Sequence, residues 1–222
     1  GMSATLQSID VLKEYYELDN FKIIYGKKTF PGKLYLLNNE RWTVTYKTWN
    51  EIKKDYAAET NRILRAARNH GLKTLIQVHA RKYLEGVDVK LDDSEHNTYE
   101  MWLKGNLNAI ASTRTDRGID LKSDLCRVLI IQKFPLPDKR DIKIQCLFET
   151  MGDEIAKMVY YDIARRKLIQ QIGRALRHDN DWVVLAVLDN VALNVIRRLN
   201  LWEMEEIEGF ECLLKNGLAV QK

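Results

Sequence analysis

Three prolines, three cysteines and no apolar run near the roughly 20 residues that span a bilayer are scarcities that exclude several classes of protein at once. Cys126, Cys146 and Cys212 lie too far apart for a paired metal knuckle, and an odd count does not suit a disulfide framework. Buried free thiols are the simplest reading of them. The histidines at 70, 79, 96 and 178 have no ligand spacing, so no metal site is expected from this chain alone. The amino terminus lacks a basic-then-apolar signal pattern, which reads as a cytoplasmic or nucleoid-associated protein with no membrane partner. Gly1 ahead of Met2 reads as a boundary set inside a longer polypeptide. Charge of one sign is also scarce: 35 Lys and Arg against 31 Asp and Glu give +4, too mild to demonstrate a nucleic-acid partner by itself.

What is present is an alternation. Short β-branched apolar runs at 73–78, 107–113, 128–134 and 183–189 are separated by helical or loop sequence. Runs that are apolar on both faces suit a parallel sheet covered by helices on both sides, so a doubly wound α/β domain is predicted. A helix is predicted ahead of the first run, with Thr48 and Glu51 spaced as a capping box and Gly71 as its stop. Its apolar stripe includes Ile52, Tyr56, Ile63 and Ala67, and Arg62, Arg65 and Arg68 form a cationic face that reads as solvated. Further helices are predicted over 95–104, from 153 to about 177, and over 191–200. The stretch 21–47 reads as irregular strands and loops, and one compact domain accounts for the chain.

Two segments carry chemistry. Gln170-Gln171-Ile172-Gly173-Arg174-Ala175-Leu176-Arg177 reads as Q-x-x-G-R-x-x-R. On a helix, Gln170, Arg174 and Arg177 would share one side, with Gly173 allowing another backbone close. Paired guanidiniums suit phosphate, because each planar fork stays charged and binds two oxygens. Without context, the same pattern also fits an amphipathic helix with surface arginines. The second segment follows the strand at 107–113. Ser112, Thr113, Arg114, Gly118 and Asp120 form a polar loop at a strand's carboxyl end, where ligands bind in open α/β sheets. Asp120 suits a ribose or an arginine, and Ser112 and Thr113 suit a backbone phosphate. Gly118 alone fits a tight turn and Asp120 alone a cap.

The order of SATL, TLIQVHA, NAIASTRTDRGID and QQIGRALRHDND resembles the third to sixth motifs of superfamily 2 helicases, with FPLP at 134–137 similar to the XPD and DinG group. The resemblance implies a RecA-like second motor domain over 21–222, with residues 1–20 carrying a third-motif remnant of the first motor domain. It implies that Gln170, Arg174 and Arg177 face the triphosphate of ATP, one arginine acting as a finger, with Gly173 in the same motif. It assigns Gly118 and Asp120 to the motif coupling nucleotide to nucleic acid. Gln77, His79 and Arg81, with Ser112, Thr113 and Arg114, fall where such helicases touch a single strand, expected to be DNA. Arg117 stands where the group usually has an acidic residue before Gly118, a departure towards RNA-type helicases.

The chain has no G-x-x-x-x-G-K-[ST] loop and no acidic box for magnesium. ATP with magnesium is therefore expected to be bound mainly by the first RecA-like domain of the same polypeptide, and this chain alone is expected to be inactive. The reading from a different class is a catalytically inert RecA-like module that only holds nucleic acid or a protein.

Overall fold

The computed structural model describes residues 7–22, 31–92, 97–113, 121, 123–215 and 218. Among them, contacts divide the chain into two compact units: residues 1–28 with 134–170, and residues 29–133 with 171–222.

The larger unit holds the sheet. Its strands are β1 (Lys33–Leu37), β2 (Thr74–Gln77), β3 (Lys90–Leu91), β4 (Ala109–Ser112), β5 (Val128–Ile131), β6 (Trp182–Val187) and β7 (Glu203–Ile207). They lie in the order β3-β4-β2-β5-β6-β1-β7, and every neighbouring pair is parallel. Parallel strands need covered faces, and both sets of alternate residues are buried here. Ile76, Val128, Ile130, Val184 and Ala186 pack with helix α2 (Trp49–Asn69) in one core. Leu34, Leu75, Ile110, Leu129 and Leu185, on the alternate positions, are equally buried. The predicted α/β, RecA-like layering is therefore the observed one.

Within the 21–47 stretch, read as irregular strands and loops, one regular strand forms. Five residues with Tyr and three Leu form β1, paired on both sides by β6 and β7. Its sequence is short and framed by Pro31 and Gly32, so local pattern understated it; tertiary pairing decides the outcome. Edge strand β7 escaped notice because its sequence, EMEEI, is mostly acidic, a composition that discourages pairing with another chain.

Helix α2 begins without the predicted capping box. Thr48 makes no side-chain cap; its Oγ1 donates instead to the Thr43 carbonyl at 2.7 Å and accepts from Thr45 N at 3.0 Å. Its end is as predicted: Gly71 takes φ +68°, and Leu72 N and Gly71 N bond back to the Ala67 and Arg68 carbonyls. Arg62, Arg65 and Arg68 are exposed, but Arg62 is paired with Glu59 at 2.6 Å and Arg68 approaches Asp88 at 3.9 Å. Helices α3 (Thr98–Leu103) and α5 (Asn190–Leu199) match expectation within a few residues, α5 being capped by the Asp189 carboxylate.

The smaller unit contains α1 (Ile9–Glu14) and most of α4 (Ile142–Gly173). Gly152, at φ 71° and ψ 164°, divides α4 into two helical segments, of which the sequence predicted the second. Val11 of α1 packs with Leu147, Ala156 and Val159. The Ser8 amide donates to Asp162, which is buried and also accepts from Arg165 and Arg166. Of the cysteines, Cys126 is buried, with its thiol pushed up to about 12 by desolvation, whereas Cys146 is exposed, contrary to the expectation for all three.

At the amino ends of the central strands sits a buried ion pair. Asp181, 1% exposed, precedes β6, and Arg127 precedes the neighbouring β5. Arg127 Nη1 donates to Asp181 Oδ1 at 2.8 Å and to the Trp182 carbonyl at 2.7 Å, with its guanidinium 4.4 Å from the Trp182 ring centroid. Arg177 N and Trp182 N also donate to the Asp181 carboxylate. Gly32, at φ +80°, passes so near that a Cβ would lie 2.8 Å from the Asp181 carbonyl and 2.9 Å from Leu176. Removing one partner of such a pair leaves the other charge buried. Asp181→Ala is expected to cost about 3 kcal/mol or more in urea unfolding. Gly32→Ala should cost about 2 kcal/mol, from the strained φ and the contact. Unchanged midpoints for both would show that this anchor is dispensable.

Candidate nucleic-acid and nucleotide interface

Because all strands are parallel, their carboxyl ends share one edge. Gln77 ends β2 opposite Ser112 of β4 and Ile131 of β5, so two of the predicted contact residues are neighbours. Both are buried. Gln77 Oε1 accepts from Gln171 Nε2 at 3.4 Å, and Ser112 Oγ donates to Asp92 Oδ2 at 2.9 Å. These side chains therefore shape the edge from within, while His79, Arg81 and Thr113, which follow the strands, reach its partly or fully exposed surface. The amide oxygens of Gln171 and Gln132 are buried at this edge with no hydrogen-bond donor among the described residues. Arg114, Gly118 and Asp120 lie outside the described residues, as do Ser3, Ala4 and Thr5 of the third-motif resemblance.

Next to this edge is an aromatic and cationic cluster that sequence reading did not assemble. Tyr83, in the single helical turn Arg81–Leu84 after β2, packs edge-on against Trp49 at 4.6 Å. Its carbonyl accepts from Gln132 Nε2 at 3.0 Å, and the Gln132 carbonyl accepts from the Tyr56 hydroxyl at 2.8 Å. Lys133 Nζ donates to the Tyr83 hydroxyl at 3.2 Å. Burial lowers the pKa of Lys133, partly offset by Asp189, and burial raises that of the Tyr83 phenol against the opposing charge of Lys82. Arg81 and Lys82 are exposed beside them, and among the described residues neither is ion-paired with a carboxylate.

The sixth-motif segment departs from the expected helix. Helix α4 stops at Gly173, so Arg174 lies in a turn closed by Ala175 N to the Ile172 carbonyl, and Arg177 lies beyond it. One helical face cannot present Gln170, Arg174 and Arg177. The helix ends because the segment is captured from the other side: Ala175 and Leu176 are buried, and the Arg177 amide bonds to Asp181 at 3.2 Å. The Arg177 side chain is exposed and Arg174 and Gly173 are half-buried. Gln170 is exposed and is the last residue of the smaller unit. The residue that reaches Gln77 is its neighbour, Gln171.

The missed residues have different signals. Asp181 and Arg127 could have been found as opposite charges immediately preceding two apolar runs, since neighbouring parallel strands start at one end. Asp92 and Lys133 carry no such local signal.

Comparison with known proteins agrees with the fold. Residues 96–204 match the model of the Helicase C-terminal domain family. The ATP-dependent DNA helicase chl1 of Schizosaccharomyces pombe is 25% identical over 115 residues, with 46% of this chain and 14% of that protein covered. An XPD helicase structure superposes with a TM-score of 0.68 at 17% identity, over 93% of this chain and 42% of that one. Xpd4 of S. tokodaii gives 0.60 at 19% identity, over 86% and 41%. The chain thus spans less than half the length of these relatives. Residues 96–204 are thus similar to helicase C-terminal domains, and the fold of the chain is that of the XPD structures.

Proposed function

We propose that this domain is the second jaw of an ATP-dependent helicase or translocase that moves along single-stranded DNA. ATP with magnesium would be held mainly by a first RecA-like domain of the same polypeptide, to which residues 1–20 would connect. This domain would supply Arg174 or Arg177 as the finger on the triphosphate, with Gln170 and Gly173 beside them, and Gly118 and Asp120 as the coupling loop. His79, Arg81, Thr113 and Arg114 would hold the strand, positioned by the buried Gln77 and Ser112. The observation that carries the reading is the Gln171 to Gln77 contact, which ties the sixth-motif segment to the strand end beside the exposed cations. Guanidinium chemistry suits a transferring phosphoryl group, whose charge spreads over its oxygens.

Lacking a phosphate loop, the purified chain is expected to show no ATP hydrolysis, with or without single-stranded DNA. DNA-stimulated turnover by the chain alone would contradict the division of labour. Single-stranded DNA should bind weakly, with affinity falling steeply as salt rises, measured by fluorescence anisotropy. Arg81→Ala and Arg114→Ala should each lower the salt slope by about 0.7, the share of one phosphate contact on a single strand. An unaltered slope would remove those residues from the track.

For the sixth motif, a paired measurement separates roles. Arg177→Ala should leave the melting temperature of this chain nearly unchanged, because surface substitutions usually stay within about 0.5 kcal/mol. In the whole polypeptide, loss of the finger arginine, Arg174 or Arg177, should cut turnover by about 10³. Normal turnover in both variants would show the motif to be architectural.

A further inference from the structure

Tyr46 is 86% exposed, a large ring left in water where the other described aromatics of the sheet-bearing unit are buried or half-buried. A single exposed ring is ordinary. Its surroundings are not. The turn that carries it is pinned by hydroxyls: Thr48 Oγ1 donates to the Thr43 carbonyl at 2.7 Å and accepts from Thr45 N at 3.0 Å, and Thr48 N donates to Thr45 Oγ1 at 3.2 Å. Thr48 is the residue that would otherwise cap α2, so the helix forgoes a cap worth about 1 kcal/mol while the turn is held rigid. The ring's neighbour is Lys82, with Nζ 5.6 Å from the Tyr46 centroid and 5.1 Å from that of Tyr83. Lys133 lies on Tyr83 in turn, at 5.6 Å. Rings and cations alternate as Tyr46, Lys82, Tyr83 and Lys133, running inward from the surface near the carboxyl end of β2. Arg81 is exposed next to Lys82.

We infer that Tyr46 is a stacking platform for one unpaired base, with Lys82 positioned for the adjoining phosphate. A base offers a π-face whatever its identity, so the site needs no sequence preference. Lys82 reaches across one side of the ring and leaves it a cation that can move to a phosphate oxygen without breaking an ion pair among the described residues. A turn already fixed by hydrogen bonds loses little backbone freedom on binding, which favours affinity. Duplex DNA, whose bases are already stacked, cannot use such a platform. This inference rests on the single-strand reading above and adds a contact that the motif residues do not include.

The test uses the 222-residue chain and a short fluorescein-labelled oligothymidylate, followed by anisotropy. Tyr46→Ala should weaken binding by about 5- to 100-fold, the range for loss of one base–aromatic stack. Tyr46→Trp should bind at least as well as the native chain. Lys82→Ala should reduce the salt slope. An oligonucleotide of the same length made of abasic sites keeps the phosphates and removes the bases; native chain and Tyr46→Ala should bind it equally. Because Tyr46 lies outside the core, melting temperatures should coincide, and that is checked directly. If native chain binds oligothymidylate with a steep salt dependence and Tyr46→Ala binds it as tightly, the platform is refuted and the single-strand reading stands. If the native chain binds no single strand at all, both fail. A Tyr46→Ala defect that persists on the abasic strand also refutes stacking, since the ring would then act without a base.

Discussion

A parallel sheet cannot leave a face in water, and the rest of this domain follows from that constraint. Each strand must be apolar on both sides, each connection must cross over, and all carboxyl ends must gather on one edge. Polar groups are thereby expelled from the strands to their ends. Gln77 and Ser112 are the last residues of β2 and β4, and Gln132 and Asp189 closely follow β5 and β6. This polar edge is therefore a consequence of topology before it is a matter of any motif. What the motifs add is the choice of groups placed there.

The opposite edge has a different task. Asp181 and Arg127 immediately precede neighbouring strands and pair under cover, and the second oxygen of the Asp181 carboxylate accepts from the Arg177 amide. Such a pair contributes little net stability compared with an apolar replacement, but each partner is costly to lose alone. Its use here is geometric: it ends α4 early and fixes the path of the segment between Gly173 and β6. Gly32 accepts that segment at a distance no side chain would allow. On the proposed reading, in which Arg174 or Arg177 meets a phosphate held by another domain, a backbone held in this way is an advantage.

Much of this was legible in residues. The four apolar runs became β2, β4, β5 and β6, and Gly71 ended α2 by the predicted reversal, because these depend on periodicity and backbone freedom, both local properties. β7 was not legible, and β1 only as part of an irregular stretch, since an acidic edge and a short Leu-rich run become regular strands only when neighbours pair with them. The sixth motif was recognised by its spacing, yet its helix was drawn one turn too long, because Asp181 acts from beyond the segment. Thr48 and Glu51 have the spacing of a capping box, and Thr48 is committed instead to the turn carrying Tyr46. Side chains with two possible hydrogen-bonding uses are decided by tertiary context.

The central claim is that a single strand lies along the carboxyl edge of the sheet and not along the anchored edge around Asp181. Photocrosslinking of a thymidylate strand bearing 4-thiothymidine, followed by mass spectrometry of the digested chain, tests it directly. The account predicts crosslinked peptides containing residues 79–83 and 113, quenched by excess unlabelled strand and by salt. Crosslinks concentrated instead on peptides around Gly32 and residues 178–181, with the carboxyl edge unlabelled, would contradict it.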